Sequence, residues 1–214
     1  MIPIKRGEQI EKMRHACEMA ATVLDALSQH IAPGISTYEL DQLGKKYMDE
    51  LSVESACYQY KVGRKVYPAY TCISVNEEIV HGIGTPEKIL KDGDVITLDV
   101  CVKAGGYVGD NARTFPVGKV DRAALELLKA TEEALTAGIG QAQPGKRVGD
   151  ISWAIQSYVE SHGYSVVREF VGHGVGKAMH EAPEIPNFGR PGSGAKLMPG
   201  MTLAIEPMVN MGSP

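Results

Sequence analysis

Six side chains have the types and spacing to do chemistry together: the carboxylates Asp99, Asp110 and Glu206 and the imidazoles His81, His173 and His180. Residues 95–102 are rich in β-branched side chains, Lys103-Ala104-Gly105-Gly106 reads as a turn, and 107–117 reads as a return strand. A hairpin centred on Ala104-Gly105 sets Asp99 directly opposite Asp110 on one face, with Cβ atoms about 5 Å apart. Like charges so placed destabilise a sheet, and aspartate is a poor strand residue in any case. A divalent cation bridging two hard oxygen donors is the simplest compensation. A slipped register, or an exposed hairpin in which Arg113 pairs with one acid, are the alternatives. Glu206 lies in the apolar run from Met201 to Val209, where a lone carboxylate is strongly desolvated unless it is ligated or protonated.

Among the histidines, His173 is flanked on both sides by glycine in Gly172-His-Gly-Val-Gly176, which lets backbone or ligand approach the imidazole closely. That segment lacks the G-x-G-x-x-G spacing of a dinucleotide loop, and no Walker motif is present. His180-Glu181 has no second histidine four residues on, which excludes a thermolysin-like zinc helix. The reading that remains makes His173 a neutral nitrogen ligand among carboxylates and His180 a nearby hydrogen-bonding or acid/base group. Its alternative is a pair of loop histidines with no catalytic role. His81 ends a β-like run, Cys72 to Gly84, that closes on glycines. His15 and His30 on the first helix, and His162 at a helix end, read as surface or capping residues.

The elements that must position these groups are legible from periodicity. Ile10, Met13, Cys17, Ala20, Leu24, Leu27 and Ile31 recur every three or four residues, which predicts an amphipathic helix ended by Pro33-Gly34. Ser36 and Glu39 form a capping box that opens a second helix through about Leu51. Asp121 caps a third helix, 122–137; Pro144-Gly145 interrupts, and a fourth helix carrying Val148, Ile151, Ile155 and Val159 stops at Gly163. Helix, Pro-Gly, helix thus occurs twice, 111 residues apart, and Leu90 to Asp99 matches Leu197 to Glu206 at an offset of 107. The two halves, about 1–120 and 121–214, read as diverged copies within a single catalytic domain, each offering an acid from an equivalent strand, with a site expected between them.

The bulk numbers are close to a soluble globular average. The 214 residues are 43% hydrophobic and 22% charged with net charge −4, which disfavours disorder and gives no basic footprint for nucleic acid. No stretch approaches the roughly 20 apolar residues of a membrane span, and the charged N-terminus lacks a signal core, so a cytoplasmic protein is expected. Cys17, Cys57, Cys72 and Cys101 show no C-x-x-C and no compact framework, and are read as reduced thiols.

Taken in order, Thr97-Leu-Asp99, Gly109-Asp-Asn-Ala-Arg-Thr-Phe115, Gly172-His-Gly-Val-Gly176, His180-Glu-Ala-Pro183 and Ala204-Ile-Glu-Pro207 resemble the motifs of the type I methionine aminopeptidases. The likeness runs from Ile4-Lys-Arg-Gly-Glu8 to Pro207, and Cys72-Ile-Ser-Val-Asn-Glu-Glu-Ile-Val-His81-Gly separates that group from its prolidase relatives. The resemblance implies an α+β pita-bread fold: two pseudo-symmetric halves, each with two helices on antiparallel strands. It implies an enzyme that removes the initiator methionine from nascent chains, at the ribosome and usually as a monomer, with two divalent ions (Co, Mn, Fe or Zn). Asp99, Asp110, His173 and Glu206 would be ligands, Glu206 would also carry the proton, and His81 and His180 would contact the substrate. Tyr67, Cys72 and Met179 would line the methionine pocket. A prolidase-type peptidase and a non-catalytic binding module of the same fold are the competing readings; a module has no need to keep four ligands.

Two departures from the family pattern stand out. The family's His-Gly-Ile-Pro is His81-Gly-Ile-Gly84 here, which is expected to loosen that loop. The family's fifth ligand, a glutamate on a strand after Glu206, would fall beyond Pro214, as would the counterpart of Asp110 in the second half. A C-terminally truncated form, with its last strands missing, a weakly occupied second metal position and impaired activity, is therefore expected.

Overall fold

The protein, described over residues 1–214 by a computed structural model, divides into two compact units. One comprises Glu8–Asp121 with Lys177–Met179; the other comprises Met1–Gly7, Arg122–Gly176 and His180–Pro214. They are called the N-terminal and C-terminal units below. Among the described residues, no helix is long and apolar enough to cross a membrane.

The N-terminal unit opens with two helices, α1 (Glu8–Ser28) and α2 (Thr37–Glu50). The capping box of α2 is formed as expected: the Glu39 amide donates to Ser36 Oγ at 3.2 Å, and the Ser36 amide donates to Glu39 Oε2 at 2.8 Å. The strands are β1 (Glu54–Ser55), β2 (Lys61–Val62), β3 (Lys65–Val66), β4 (Cys72–Val75), β5 (Val95–Ala104) and β6 (Tyr107–Pro116). β6 pairs along the whole of β5, while β4 and β1 pair with successive stretches of its other edge; β2 and β3 form a separate hairpin. Helix α1 packs across β5 and β6. Its buried stripe is Met13, Ala16, Ala20, Val23, Leu24 and Leu27, whereas Ile10 and Cys17 are exposed and the helix stops before Ile31. The period was right, but the small Ala16 and β-branched Val23 complete the face that Cys17 was expected to share.

Along β5, Ile96, Leu98, Val100 and Val102 are fully buried on the face toward α1. Strand alternation then puts Thr97, Asp99 and Cys101 on the other face. The chain reverses through Gly105 and Gly106, both at positive φ (59° and 80°), the combination a two-residue I′ hairpin demands. This turn is shorter and one position later than the expected Lys103–Gly106 turn. Asp99 consequently pairs with Ala112, and Asp110 pairs with Cys101. The two acids are diagonal neighbours on one face, not directly opposed. The β-like run after Cys72 is also shorter than expected: β4 ends at Val75, and Asn76 turns the chain at φ 55°.

The C-terminal unit repeats the plan with α3 (Arg122–Ile139) and α4 (Val148–Ser161), followed by β7 (Ser165–Val166), β8 (Val171–Gly174), β9 (Glu181–Pro186), β10 (Leu203–Ala204) and β11 (Val209–Asn210). β8 lies between β10 and β9, and β11 pairs with β7. Its core joins Ala134 of α3 and Val148, Ile151, Ile155 and Val159 of α4 to Val166, Ile185 and Leu197. Glu206 falls in the segment between β10 and β11, not within a strand as its match to Asp99 suggested. Two helices on antiparallel strands in each unit make the chain α+β.

Candidate active site

In the N-terminal unit, the face of the sheet turned away from α1 carries an unusual set of small polar residues. Thr97 and Thr114 are hydrogen-bonded across β5 and β6 at 2.9 Å. Beside them stand Asp99, Cys101 and Asp110, whose ligating atoms all lie within 4.8 Å of one another. Cys72, opposite Asp99 on β4, shares this face. Burial, and after it the charge of Asp110, hold the Asp99 carboxyl well above the usual carboxylate range. The groups that favour its ionised form are the neutral thiols of Cys101 and Cys72. A cation between the two acids would remove both penalties at once, so this donor set fits a divalent metal.

The C-terminal unit supplies a second pair. His173 is buried in β8, and the flanking glycines are needed: a Cβ on Gly172 would overlap the Ala204 carbonyl oxygen, and one on Gly174 that of Ala182. His173 Nδ1 lies 2.8 Å from the Gly174 carbonyl oxygen. That oxygen only accepts, so Nδ1 carries a proton and Nε2 is the ring nitrogen turned outward. Facing Nε2 at 3.2 Å is Glu206 Oε1. A proton or a cation joins two such atoms, and a carbonyl-oriented imidazole beside a carboxylate is the usual arrangement of a metal-binding histidine. The exposed His180 ring stands edge-on to His173, with centroids 4.4 Å apart.

The residues expected to meet substrate are distributed as follows. His81 is exposed with φ 58°, a left-handed conformation. The Tyr67 hydroxyl donates to the Gly82 carbonyl oxygen at 2.8 Å and touches that of Thr71 at 3.2 Å, and its side chain contacts Cys72. Burial pushes the Tyr67 phenol up, so it stays a donor. Met179 is buried. The expected loosening around Gly84 does not appear: Thr37 Oγ1 accepts from the Thr85 amide at 2.9 Å, and Ile73 donates to Gly82 at 2.8 Å, so the loop is tied at both ends. His15 is exposed, His30 bonds Tyr47 at the surface at 2.6 Å, and His162 caps α4 through its Nδ1 contact to the Tyr158 carbonyl at 2.8 Å.

Three supporting features escaped the sequence reading. Asp41, buried on α2, accepts from the Tyr70 amide (2.9 Å), the Thr71 amide (2.8 Å) and Thr71 Oγ1 (2.9 Å), fixing the approach to Cys72. Lys5 is buried and donates to the Val175 carbonyl at 2.9 Å and to Glu181 Oε2 at 2.6 Å, clamping the segment between His173 and His180. The cysteines, distant in sequence, do form a compact group: Cys57 lies in hydrogen-bonding contact with both Cys72 and Cys101. A charged residue in a helix pattern or near a chain start carries no local signal of burial; only the partner across the fold reveals it.

A sheet face of paired acids and a histidine–glutamate pair at a second sheet are donor sets that fit divalent metal. The profile of metallopeptidase family M24 matches residues 11–213, and the chain belongs to that family. Within it, the chain is 47% identical over 213 residues to methionine aminopeptidase 1 of Bacillus subtilis, covering 100% of this chain and 84% of that protein. The solved methionine aminopeptidase of Rickettsia prowazekii superposes with a TM-score of 0.95 at 39% identity, over 99% of this chain and 84% of that one. The prolidase of Pyrococcus furiosus superposes less well, with a TM-score of 0.80 at 25% identity over 95% of this chain and 57% of that one. The fold is therefore the pita-bread fold, and the chain's nearer likeness is to the methionine aminopeptidases rather than to the prolidases.

Proposed function

We propose that this protein removes the N-terminal methionine from newly made polypeptides by hydrolysing the first peptide bond. The carrying observation is the facing of His173 Nε2 and Glu206 Oε1 at 3.2 Å in a chain so close to methionine aminopeptidases. Asp99, Asp110, His173 and Glu206 are the proposed ligands of two divalent ions, of Co, Mn, Fe or Zn. Such ions, when bound, supply a water of lowered pKa and polarise the scissile carbonyl. Glu206 takes the proton of the attacking water and returns it to the leaving amine. His180 and His81 donate to the carbonyl oxygen as charge develops there. Tyr67, Cys72 and Met179 form the apolar wall that accepts the methionine side chain. The action belongs in the cytoplasm, on chains emerging from the ribosome, by a monomer.

Release of methionine from a Met-Ala-Ser peptide tests this reading. The protein loaded with Mn, Co or Fe should release it, and Asp99→Asn or His180→Ala should abolish release. Faster cleavage across a Xaa-Pro panel would replace it with a prolidase activity.

A further inference from the structure

We propose that Cys101 is a sulfur ligand to the ion held by Asp99 and Asp110. The assignment rests on the metallopeptidase reading above and adds a donor to it. Cys101 stands directly across the ladder from Asp110 and two residues along β5 from Asp99, on the same face. Its Sγ lies 3.5 Å from Asp99 Oδ1, and the three donor atoms all fall within 4.8 Å of one another. Metal–sulfur bonds of about 2.3 Å and metal–oxygen bonds of about 2.0–2.2 Å place neighbouring ligand atoms roughly 3.1–3.6 Å apart around one ion. The Cys101–Asp99 separation therefore already has the spacing of two ligands on a common centre. At 3% exposure the thiol is shielded from solvent, and Cys57 packs against it on the buried side.

Coordination would release the thiol proton to water and form a metal–sulfur bond, with no change of oxidation state. A thiolate beside two carboxylates makes this position softer than an all-oxygen pair. It should favour Zn, Co and Fe over Mn, and bind Cd tightly.

Cobalt spectroscopy tests this without reference to turnover. The anaerobic protein titrated with Co(II) should show visible d–d bands together with a near-ultraviolet thiolate-to-cobalt charge-transfer band. Cys101→Ser should remove the charge-transfer band and keep the d–d bands, and Cys17→Ser should keep both. The same Cys101→Ser change should weaken Cd(II) roughly tenfold more than Mn(II), a size seen when a metal's ligand environment is altered. Charge transfer missing from the unsubstituted protein, or lost only in Cys72→Ser, overturns the Cys101 assignment while leaving the metallopeptidase reading intact. Absence of any d–d band overturns the metallopeptidase reading itself. If Cys101→Ser fails to fold, ¹¹³Cd NMR of the unsubstituted protein decides: a resonance shifted downfield by sulfur supports the ligand, and one in the range of nitrogen and oxygen donors alone overturns it.

Discussion

Asp99 carries the clearest physical signature of any residue in the molecule, a carboxyl held above its ordinary range by burial and by Asp110. In the metal-free protein, the folded state therefore binds a proton more readily than the unfolded chain does. Stability then falls as pH rises from the ordinary carboxylate range, about 3.9 for Asp, through the raised one. Metal-free protein should accordingly unfold at lower urea concentration at pH 8 than at pH 5.5, and Asp99→Asn should flatten that difference; an unchanged pH slope in the variant would remove Asp99 as its source. Asp41 makes a different kind of claim. It satisfies three donors in the interior, so Asp41→Ala should cost about 2–4 kcal/mol through orphaned N–H and O–H groups, read from denaturant midpoints at constant m-value.

At the scale of elements, the β5–β6 hairpin sets the acid geometry, and Lys5 fastens the segment around Val175 and Glu181. Gly109 lies so close to α1 that a Cβ would overlap the Ala16 carbonyl oxygen. Gly109→Ala must push α1 away from the sheet, next to Asp110, and should cost about 1–3 kcal/mol by overpacking. Thermal melts and metal affinity should fall together, since the strand carrying Asp110, a proposed ligand, moves. The Lys5–Glu181 pair is buried on both sides, with 5% and 11% side-chain exposure. Lys5→Met removes the buried ion-pair partner of Glu181 seen at 2.6 Å, and a loss of about 3–5 kcal/mol is expected in equilibrium unfolding, with Glu181→Gln in the same background recovering part of it.

Across the whole molecule, metal should appear as a stability ligand. An ion at about 100 times its dissociation constant adds roughly 2.7 kcal/mol to the folded state. Chelator should therefore lower the melting temperature, and Mn or Co should restore it; a melt indifferent to both would count against the four-ligand site. The sequence by itself determined the order of the four helices, the capping box of α2, the repeated two-helix plan and the β5–β6 hairpin, because periodicity and capping are local properties of a chain. Register was decided only by the fold. The type of turn at Gly105-Gly106, settled by which residues take positive φ, moved Asp110 from Asp99 to Cys101 and so brought a thiol into the acid pair. The gathering of Cys57, Cys72 and Cys101, the burial of Lys5 and Asp41, and the carbonyl contact that fixes the His173 tautomer were likewise decided by tertiary structure. Each depends on partners brought together from distant parts of the chain or on the backbone path at one residue, and neither is written in the spacing of the residues themselves.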